Sequence, residues 1–232
     1  IEATLWQIMP TQLLAAASIR EGTTEALFAP LHAIAMQHRL TDQPHAVAER
    51  LREVERMKAI ELALERSEPS RLFLAVSAAE IESPQRLFSS LEELQEHLPG
   101  HWELGITISL PIDVDILRIT DAYRQARDHG LAIAFDEFQG NGGQVMHLES
   151  LLPDYLLLAR NMTKELVSTR QPLRRLESLL AACEELSIKP VLPPDNAGHI
   201  VALCQEIGFD LMLQSVTNQV HSPAEELCAT VY

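Results

Sequence analysis

Short apolar runs alternate with longer amphipathic runs along most of this chain. The short runs are aliphatic or β-branched and are too short for core helices, so they predict strands. The predicted strands are Leu5–Met9, Leu13–Ser18, Leu72–Ser77, Leu104–Ser109, Leu131–Phe138, Tyr155–Ala159, Lys189–Leu192 and Leu211–Gln214.

The amphipathic runs predict helices between most of these strands. From Pro44 to Arg66, apolar residues recur at every third or fourth position, which marks one buried helix face. Similar runs predict helices over 83–98, 112–129, 143–152, 172–186, 197–207 and 224–231. This alternation implies a parallel sheet covered by helices, and about eight strands favour a closed barrel over an open sheet. We therefore predict an α/β fold of the TIM-barrel kind.

No low-complexity tract or long linker divides the 232 residues, so residues 1–232 are interpreted as one domain. The chain begins at Ile1 in sequence already typical of a folded domain, and a domain cut from a longer multidomain protein is an equally good interpretation. No apolar run is long enough to span a bilayer, and no signal peptide is recognisable. We therefore expect no membrane association.

Net charge limits the classes of partner to expect, and cysteine content indicates the redox compartment. The chain has 18 basic and 33 acidic residues and a net charge of −15, which argues against nucleic acid or an anionic membrane as a partner. The cysteines Cys183, Cys204 and Cys228 are odd in number and widely spaced, without a C-x-x-C pair. A reducing, cytoplasmic location is the expectation.

Candidate chemistry concentrates where the predicted strand Leu131–Phe138 ends. Asp136 and Glu137 are adjacent carboxylates, and the loop G-N-G-G follows at residues 140–143. Barrel enzymes place catalytic groups at the carboxyl ends of strands, and carboxylates suit Mg²⁺. Asp136 and Glu137 are either part of a metal site or strand-end carboxylates that cap the loop and face water. The loop is either mobile or a simple turn. No dinucleotide fingerprint or phosphate-binding P-loop is present.

The order of several motifs resembles that of the EAL-domain family, the bacterial cyclic-di-GMP phosphodiesterases. Residues 130–138, GLAIAFDEF, resemble the family's G-V-x-x-A-L-D-D-F, and residues 152–160, LPDYLLLAR, resemble its L-P-x-D-x-L-K-I-D-R. Residues 73–77, FLAVS, resemble the strand that ends in N-x-S. Residues 207–210, IGFD, with Gln214, resemble the closing L-G-x-D…Q-G-Y. The resemblance implies a modified (β/α)8 barrel in which one early strand departs from the parallel pattern.

The resemblance also implies a two-metal phosphodiesterase site, whose positions can be followed in this chain. The family's Asn ligand falls on Ala75, and the Glu of its L-E-I-T-E strand falls on Gly105. Its paired aspartates correspond to Asp136 and Glu137, which are the remaining candidates for metal ligands.

The other catalytic positions of the family fall on apolar residues. The lysine that assists the water corresponds to Leu157, and the Asp two residues later corresponds to Ala159. The Glu of the E-G-V-E-T loop falls near Pro193, with Asp195 close by. Gln214 could line a ligand pocket, although a buried, hydrogen-bonded Gln is the simpler interpretation.

Glu25-Ala26-Leu27 spells the signature of the family, but we interpret it as a coincidence. Residues 26–40 have the pattern of a helical segment, and the strand Leu13–Ser18, which contains no acid, better matches the strand that should carry the signature Glu. The arginine and tryptophan that follow this Glu in the family have no counterpart around Ala17 and Ser18, so a phosphate clamp is missing.

These substitutions predict a degenerate EAL-like pseudoenzyme. Two divalent ions carry twice the charge that Asp136 and Glu137 can offset, so no Mg²⁺ or Mn²⁺ cofactor is expected unless the site is functional after all. The interpretation is a regulatory or protein-interaction module with a protein partner. The alternatives are a non-hydrolysing cyclic-di-GMP sensor, an active metal-dependent phosphodiesterase, and a different single-metal hydrolase using Asp136 and Glu137. The resemblance also implies a homodimer.

Overall fold

The computed structural model describes residues 13–30, 45–66, 71–81, 83–109, 116–164, 170–194 and 197–216. Strands β1 to β8 in these residues are Leu13–Ser18, Thr24–Ala29, Arg71–Val76, Glu103–Ser109, Ala132–Phe138, Tyr155–Leu158, Lys189–Leu192 and Leu211–Val216. Helices α1 to α8 are His45–Leu64, Ala78–Ile81, Pro84–Gln95, Ile116–Asp128, Gly142–Leu151, Arg160–Lys164, Arg170–Glu185 and Gly198–Ile207.

The eight strands close into one barrel in chain order, which confirms the predicted fold. Strand β1 runs antiparallel to both β2 and β8, while every other neighbouring pair is parallel. One early strand therefore departs from the parallel pattern, as the family resemblance implied. Because β2 to β8 run in the same direction, their carboxyl ends meet at one mouth of the barrel.

Two apolar layers hold the barrel together. The larger layer lies between the sheet and its helices and includes Ile60, Trp102 and Phe135. The smaller layer fills the barrel, and its buried members are Ala16, Ala26, Phe28, Phe73, Ala134, Tyr155, Leu157, Val191, Leu211 and Leu213. Side chains alternate between the two layers along each strand, which explains why the strand sequences are continuously apolar.

Strand β2 is the element that the sequence pattern misassigns. Residues 26–29 belong to a strand and do not begin a helix, because Thr24–Ala29 pairs with β1 on one side and β3 on the other. Gly22, with φ +72°, lies in the connection between β1 and β2. The predicted strand Leu5–Met9 and helix 224–231 lie outside the described residues.

Most predicted helix ends agree with the structure. Gly208 has φ +113° and caps α8 in the left-handed conformation, which glycine adopts without strain. Helix α5 begins after Asn141, whose Oδ1 accepts a hydrogen bond from Gln144 N at 2.9 Å. The G-N-G-G sequence is therefore a turn that ends in a helix cap. No helix in the described residues is long and apolar enough to cross a membrane.

Candidate functional site

Asp136 lies near the carboxyl end of β5 in an irregular stretch of the strand. The pairing between β5 and β6 shifts between Phe135 and Phe138, and Glu137 takes the left-handed conformation with φ +55°. This conformation turns Glu137 out to solvent, while Asp136 stays half-buried and its Oδ1 accepts a hydrogen bond from Glu137 N at 2.7 Å. The two adjacent carboxylates therefore have different surroundings.

Burial dominates the electrostatics of Asp136. Desolvation raises the pKa of the carboxyl above its ordinary value; the hydrogen bond from Glu137 N lowers it, and the Glu137 carboxylate raises it. Among the described residues, no cation contributes to this balance. A carboxylate that was built to hold metal ions would be surrounded by further oxygen ligands, which must come from the neighbouring strands.

Strand register shows which side chains lie beside Asp136. Asp136 pairs with Ser109 of β4. One tier below, which means two residues earlier along the strand, Thr107 pairs with both Ala75 and Ala134. Thr107 is 6% exposed, and its Oγ1 is buried without a hydrogen-bond partner in the part of the chain that the structure describes. Sequence reasoning did not single out Thr107, although alternation along β4 puts it on the same face as Gly105 and Ser109.

A cluster of three aromatic rings fills the barrel interior below this level. Phe28 stacks on Phe73 with ring centroids 4.8 Å apart, and Tyr155 meets Phe73 edge-on at 5.3 Å. Gly105 lies directly against this cluster, since a Cβ at this position would be 2.6 Å from the Phe73 ring. The middle of the barrel is therefore filled by closely packed aromatic side chains.

An arginine–carboxylate cluster lies at the rim, where β3 ends. Arg56, which is 6% exposed, donates from Nη2 to the carbonyl of Ala75 at 3.0 Å and lies 2.9 Å from Glu80 Oε1. Glu80 Oε2 accepts hydrogen bonds from Ser77 N at 2.9 Å and Ser77 Oγ at 2.8 Å. These bonds tie α1 and α2 to the end of β3.

Glu55 lies on α1 beside this rim cluster. Burial raises its pKa to about 7, although the nearby Arg56 and Arg52 lower it, and Glu80 raises it further. The cluster therefore contains Glu80, whose carboxylate is paired with Arg56 and Ser77, and Glu55, whose pKa is about 7.

Metal-binding groups are not assembled anywhere in the part of the chain that the structure describes. These residues contain no group of three or more His, Cys, Asp or Glu side chains placed to hold a metal ion. Asp136 and Glu137 are thus not joined by further described acids.

The comparisons with known proteins agree with this architecture. The EAL domain profile matches residues 28–193, most of the chain. The chain belongs to the EAL domain family. A search of curated proteins finds no sequence match for it.

Several solved structures share the fold of this EAL domain. The EAL enzyme Bd1971, with cAMP and cyclic-di-GMP bound, superposes with a TM-score of 0.72 at 13% identity; the alignment covers 91% of this chain and 63% of that one. PaMucR phosphodiesterase in complex with c-di-GMP gives 0.71 at 16% identity, with 88% of each chain covered. An EAL domain protein from Listeria monocytogenes EGD-e gives 0.71 at 15% identity, with 98% and 96% covered. At these identities the likeness concerns the fold.

The Glu25-Ala26-Leu27 tripeptide lies at the wrong end of this EAL domain to join Asp136. Glu25 is the second residue of β2, and its carboxylate forms an ion pair with Lys189, the first residue of β7. Both residues are at the amino-terminal end of the barrel, opposite the mouth. The Glu25 carboxylate is therefore engaged in a structural pair.

The suggestion that Leu13–Ser18 corresponds to the strand carrying the signature Glu is wrong. That strand is antiparallel to β2 and ends at Ser18, at the amino-terminal end of the barrel, opposite the mouth. The parallel strand that ends at the mouth is β2, where Phe28 points into the barrel and contacts Phe73. An aromatic ring therefore occupies the inward position near the end of β2.

The remaining family positions lie at several depths. Gly105 pairs with Ala132, so it is about 13 Å below Asp136 along the sheet. Ala75 is half-buried one tier below Asp136, and Leu157 is 3% exposed inside the barrel. The structure brings Ala75 and Leu157 towards Asp136 but leaves Gly105 below them.

Two further family positions lie directly after β7 and on β8. Pro193 is buried directly after β7, and Asp195 is outside the described residues. Gln214 is exposed and pairs with Ala15, which packs in the outer layer, so its side chain is on the outer face of the sheet. The expectation of a buried Gln at this position is wrong.

Proposed function

We propose that this EAL domain does not hydrolyse cyclic-di-GMP and serves as a regulatory or protein-interaction module in bacterial signalling. The observation that supports the proposal is the residue set around Asp136. The inward side chains at and below the level of Asp136 are small or apolar: Ala75, Thr107, Ala134 and Leu157. A fold can persist while its active site is lost, because activity depends on the residues placed on the fold.

The two divalent ions that the family resemblance implies do not fit these residues. Mg²⁺ requires near-octahedral oxygen geometry, and a second ion needs a comparable set. Beside the half-buried Asp136, the adjacent tiers of β4 offer only the hydroxyls of Thr107 and Ser109. Leu157 cannot orient a water molecule as the family's lysine does. We therefore propose no metal cofactor and no catalytic residue.

Recognition of the dinucleotide is also disfavoured. The sequence from the end of β2, FAPLHAIAMQ at residues 28–37, contains no arginine that could clamp a phosphate. The net charge of −15 also opposes an anionic ligand. A non-hydrolysing cyclic-di-GMP sensor remains the alternative, and isothermal titration tests it. We expect no heat of binding up to high micromolar dinucleotide.

A hydrolysis assay tests the main proposal. Purified protein is incubated with cyclic-di-GMP and Mg²⁺ or Mn²⁺, and the linear product is measured by chromatography beside an active EAL phosphodiesterase. We expect no product above the protein-free control. Metal-dependent turnover that the Asp136→Asn variant abolishes would overturn the proposal and establish Asp136 as a working ligand.

We further propose a cytoplasmic location and a homodimer. The described cysteines Cys183 and Cys204 are free and buried, which suits a reducing compartment. The homodimer rests on the family resemblance alone. Sedimentation velocity over a range of protein concentrations measures it, and a single monomeric species at high micromolar concentration would contradict it.

A further inference from the structure

The junction between β7 and β8 is the shortest strand pairing in the barrel. It joins Val191 to Leu211, and Leu192 to Met212. Every other neighbouring pair of strands is joined at three or more positions. Because pairing between neighbouring strands is what closes a barrel, the backbone holds this barrel least firmly at the β7–β8 junction.

The sequence of β7 explains why its pairing is short. Pro190 is the second residue of the strand and has no backbone N–H, so it removes one donor from the ladder hydrogen bonds. Pro193 follows the strand directly and Pro194 comes next, and neither residue can donate a ladder hydrogen bond. These prolines explain why β7 has only four residues, Lys189–Leu192.

A cavity lies at the amino-terminal end of the junction, before the first paired residues of β7 and β8. It has a volume of about 440 Å³, and its lining includes Lys189 and Pro190 of β7. Asp210 and Leu211, at the start of β8, line it from the other side, together with Glu25 of β2. The cavity shows that the side chains around this end of the junction are not closely packed.

One ion pair crosses this part of the barrel. The Lys189 ammonium pairs with the carboxylate of Glu25, which is 164 residues away in the chain. In the barrel order, β8 and β1 lie between β7 and β2. The ring centroid of the buried Tyr155 is 5.7 Å from Lys189 Nζ, close enough for a cation–π contact that orients the ammonium. The Glu25–Lys189 ion pair therefore connects the two sides of the β7–β8 junction through side chains.

A second ion pair at the same end of the barrel has different surroundings. Arg71 of β3 pairs with Glu103 of β4, and the same two residues are partners in strand register. The pairing of β3 with β4 then continues without interruption to Val76 and Ile108. The Arg71–Glu103 ion pair therefore adds to a long ladder, whereas the Glu25–Lys189 ion pair crosses a short one.

We propose that the β7–β8 junction is an opening point of the barrel and that the Glu25–Lys189 ion pair keeps it closed. In the open state β7 separates from β8 while the other strand pairings remain, as weakly stabilised parts of native proteins open locally. Both side chains of the ion pair are partly exposed, so dissolved salt weakens their attraction. The ion pair thus makes opening of the barrel sensitive to ionic strength. This conformational property is independent of the proposed loss of phosphodiesterase activity.

Hydrogen exchange measured by mass spectrometry on the intact chain tests the proposal. Peptides that contain β7 or β8 report the junction, and peptides that contain β4 or β5 report the rest of the barrel. We expect Glu25→Gln and Lys189→Met each to accelerate exchange in β7 and β8 by about two- to fivefold, the effect of losing a partly exposed ion pair. Exchange in β4 and β5 should stay unchanged. Equal acceleration in all four strands, or none in β7 and β8, overturns the proposal.

Glu103→Gln is the matched control, because it removes the ion pair that adds to a long ladder. It should leave exchange in β7 and β8 unchanged. The double variant Glu25→Gln/Lys189→Met should accelerate exchange by less than the product of the two single effects, because both single variants lose the same ion pair. If the effects multiply in full, Glu25 and Lys189 act separately and the proposal fails. Circular dichroism checks that each variant is folded.

Salt provides a second readout that a merely structural substitution would not give. Raising sodium chloride from about 0.1 M to about 1 M shortens the screening length from about 10 Å to about 3 Å. In the parent protein this change should accelerate exchange in β7 and β8 relative to β4 and β5. Lys189→Met should show a much smaller salt response, because the charge pair is already absent. An equal salt response in the parent and in Lys189→Met overturns the proposal.

Discussion

The Phe73 ring occupies the space that any side chain at Gly105 would need. A Cβ added at position 105 would lie 2.6 Å from two atoms of the Phe73 ring and 2.9 Å from the Ala132 carbonyl oxygen. Because the family's acidic ligand was expected at Gly105, this contact gives a physical reason why an acid cannot stand there now. The Phe73 ring fits in the barrel interior because position 105 has no side chain.

Gly105→Ala should therefore destabilise the barrel although it adds only a methyl group. Phe73 is fully buried and the Ala132 contact is with backbone, so neither can move freely; we expect a loss of about 1–3 kcal/mol in the free energy of unfolding. Urea denaturation measures it. Gly100→Ala, where a Cβ would meet nothing within 4 Å, is the control and should be close to neutral. In the Phe73→Leu background, Gly105→Ala should cost less.

Thr107→Val should leave stability unchanged or raise it by about 1 kcal/mol. The Thr107 hydroxyl is buried without a partner among the described residues, so replacing it with a methyl group of similar shape should remove a desolvation penalty and break no bond. Thr163→Val is the matched comparison, since Thr163 is equally buried but its Oγ1 donates to the Arg160 carbonyl at 3.2 Å. We expect that second variant to be less stable. A clear loss in Thr107→Val would indicate that the hydroxyl binds a buried water.

Glu55 should make stability depend on pH near neutrality. Its pKa is raised from 4.5 to about 7 by burial, so the folded state favours the protonated acid. The unfolded chain releases this proton at lower pH than the folded chain, and stability therefore falls as pH rises from about 4.5 through about 7. Thermal melts should show Glu55→Gln more stable than the parent at about pH 8, by on the order of 1–3 kcal/mol, and equal to it near pH 4.

The exposed Glu61 on the same helix provides the control for that experiment. Glu61→Gln should leave the pH profile of the parent unchanged. Parallel curves for Glu55→Gln and the parent across the whole range would show that Glu55 does not titrate differently in the folded protein.

Asp154 should contribute more to stability than an ordinary surface acid. Its Oδ2 accepts a hydrogen bond from Arg127 Nη1 at 2.8 Å and another from Ile133 N at 2.7 Å, joining α4, β5 and the start of β6. Asp154→Ala removes both charge-assisted bonds, and we expect a loss of about 1–3 kcal/mol because the side chain is partly exposed. Chemical denaturation measures it. Asp121→Ala, which breaks the exposed pair with Arg124, should cost less than about 0.5 kcal/mol.

A double-mutant cycle then separates the two Asp154 bonds. Arg127 also donates to the Leu152 carbonyl at 2.9 Å, so Arg127→Ala should be destabilising by itself. The double variant should lose less stability than the sum of the two single variants, and this difference should be smaller than the full cost of Asp154→Ala, because the Ile133 bond survives in Arg127→Ala. Strict additivity would show that Arg127 and Asp154 do not interact in solution.

Strand β2 illustrates where a local pattern stops being informative. The sequence TEALFA contains Glu, Ala and Leu, which are strong helix formers, and it is short. It becomes a strand because β1 and β3 offer backbone partners on both sides, and β3 lies more than forty residues away in the chain. Intrinsic propensity is a weak preference that such long-range pairing overrides.

Within the candidate site, the sequence did not show how the residues of β4 pair with those of β5. Alternation puts Gly105, Thr107 and Ser109 on one face of β4, but it does not say which of them is level with Asp136. The ladder between β4 and β5 places Ser109 there, and Thr107 one tier below. The irregularity that turns Glu137 away from Asp136 could not be predicted from the sequence either, because it depends on how β5 pairs with β6.

The sequence by itself determined the barrel and seven of its strands within the described residues, because these depend on apolar periodicity. Only the tertiary structure decided that Phe28 and Phe73 fill the interior and that Glu25 pairs with Lys189 at the amino-terminal end of the barrel. These relationships join residues that are distant along the chain, and local pattern contains no information about such distances.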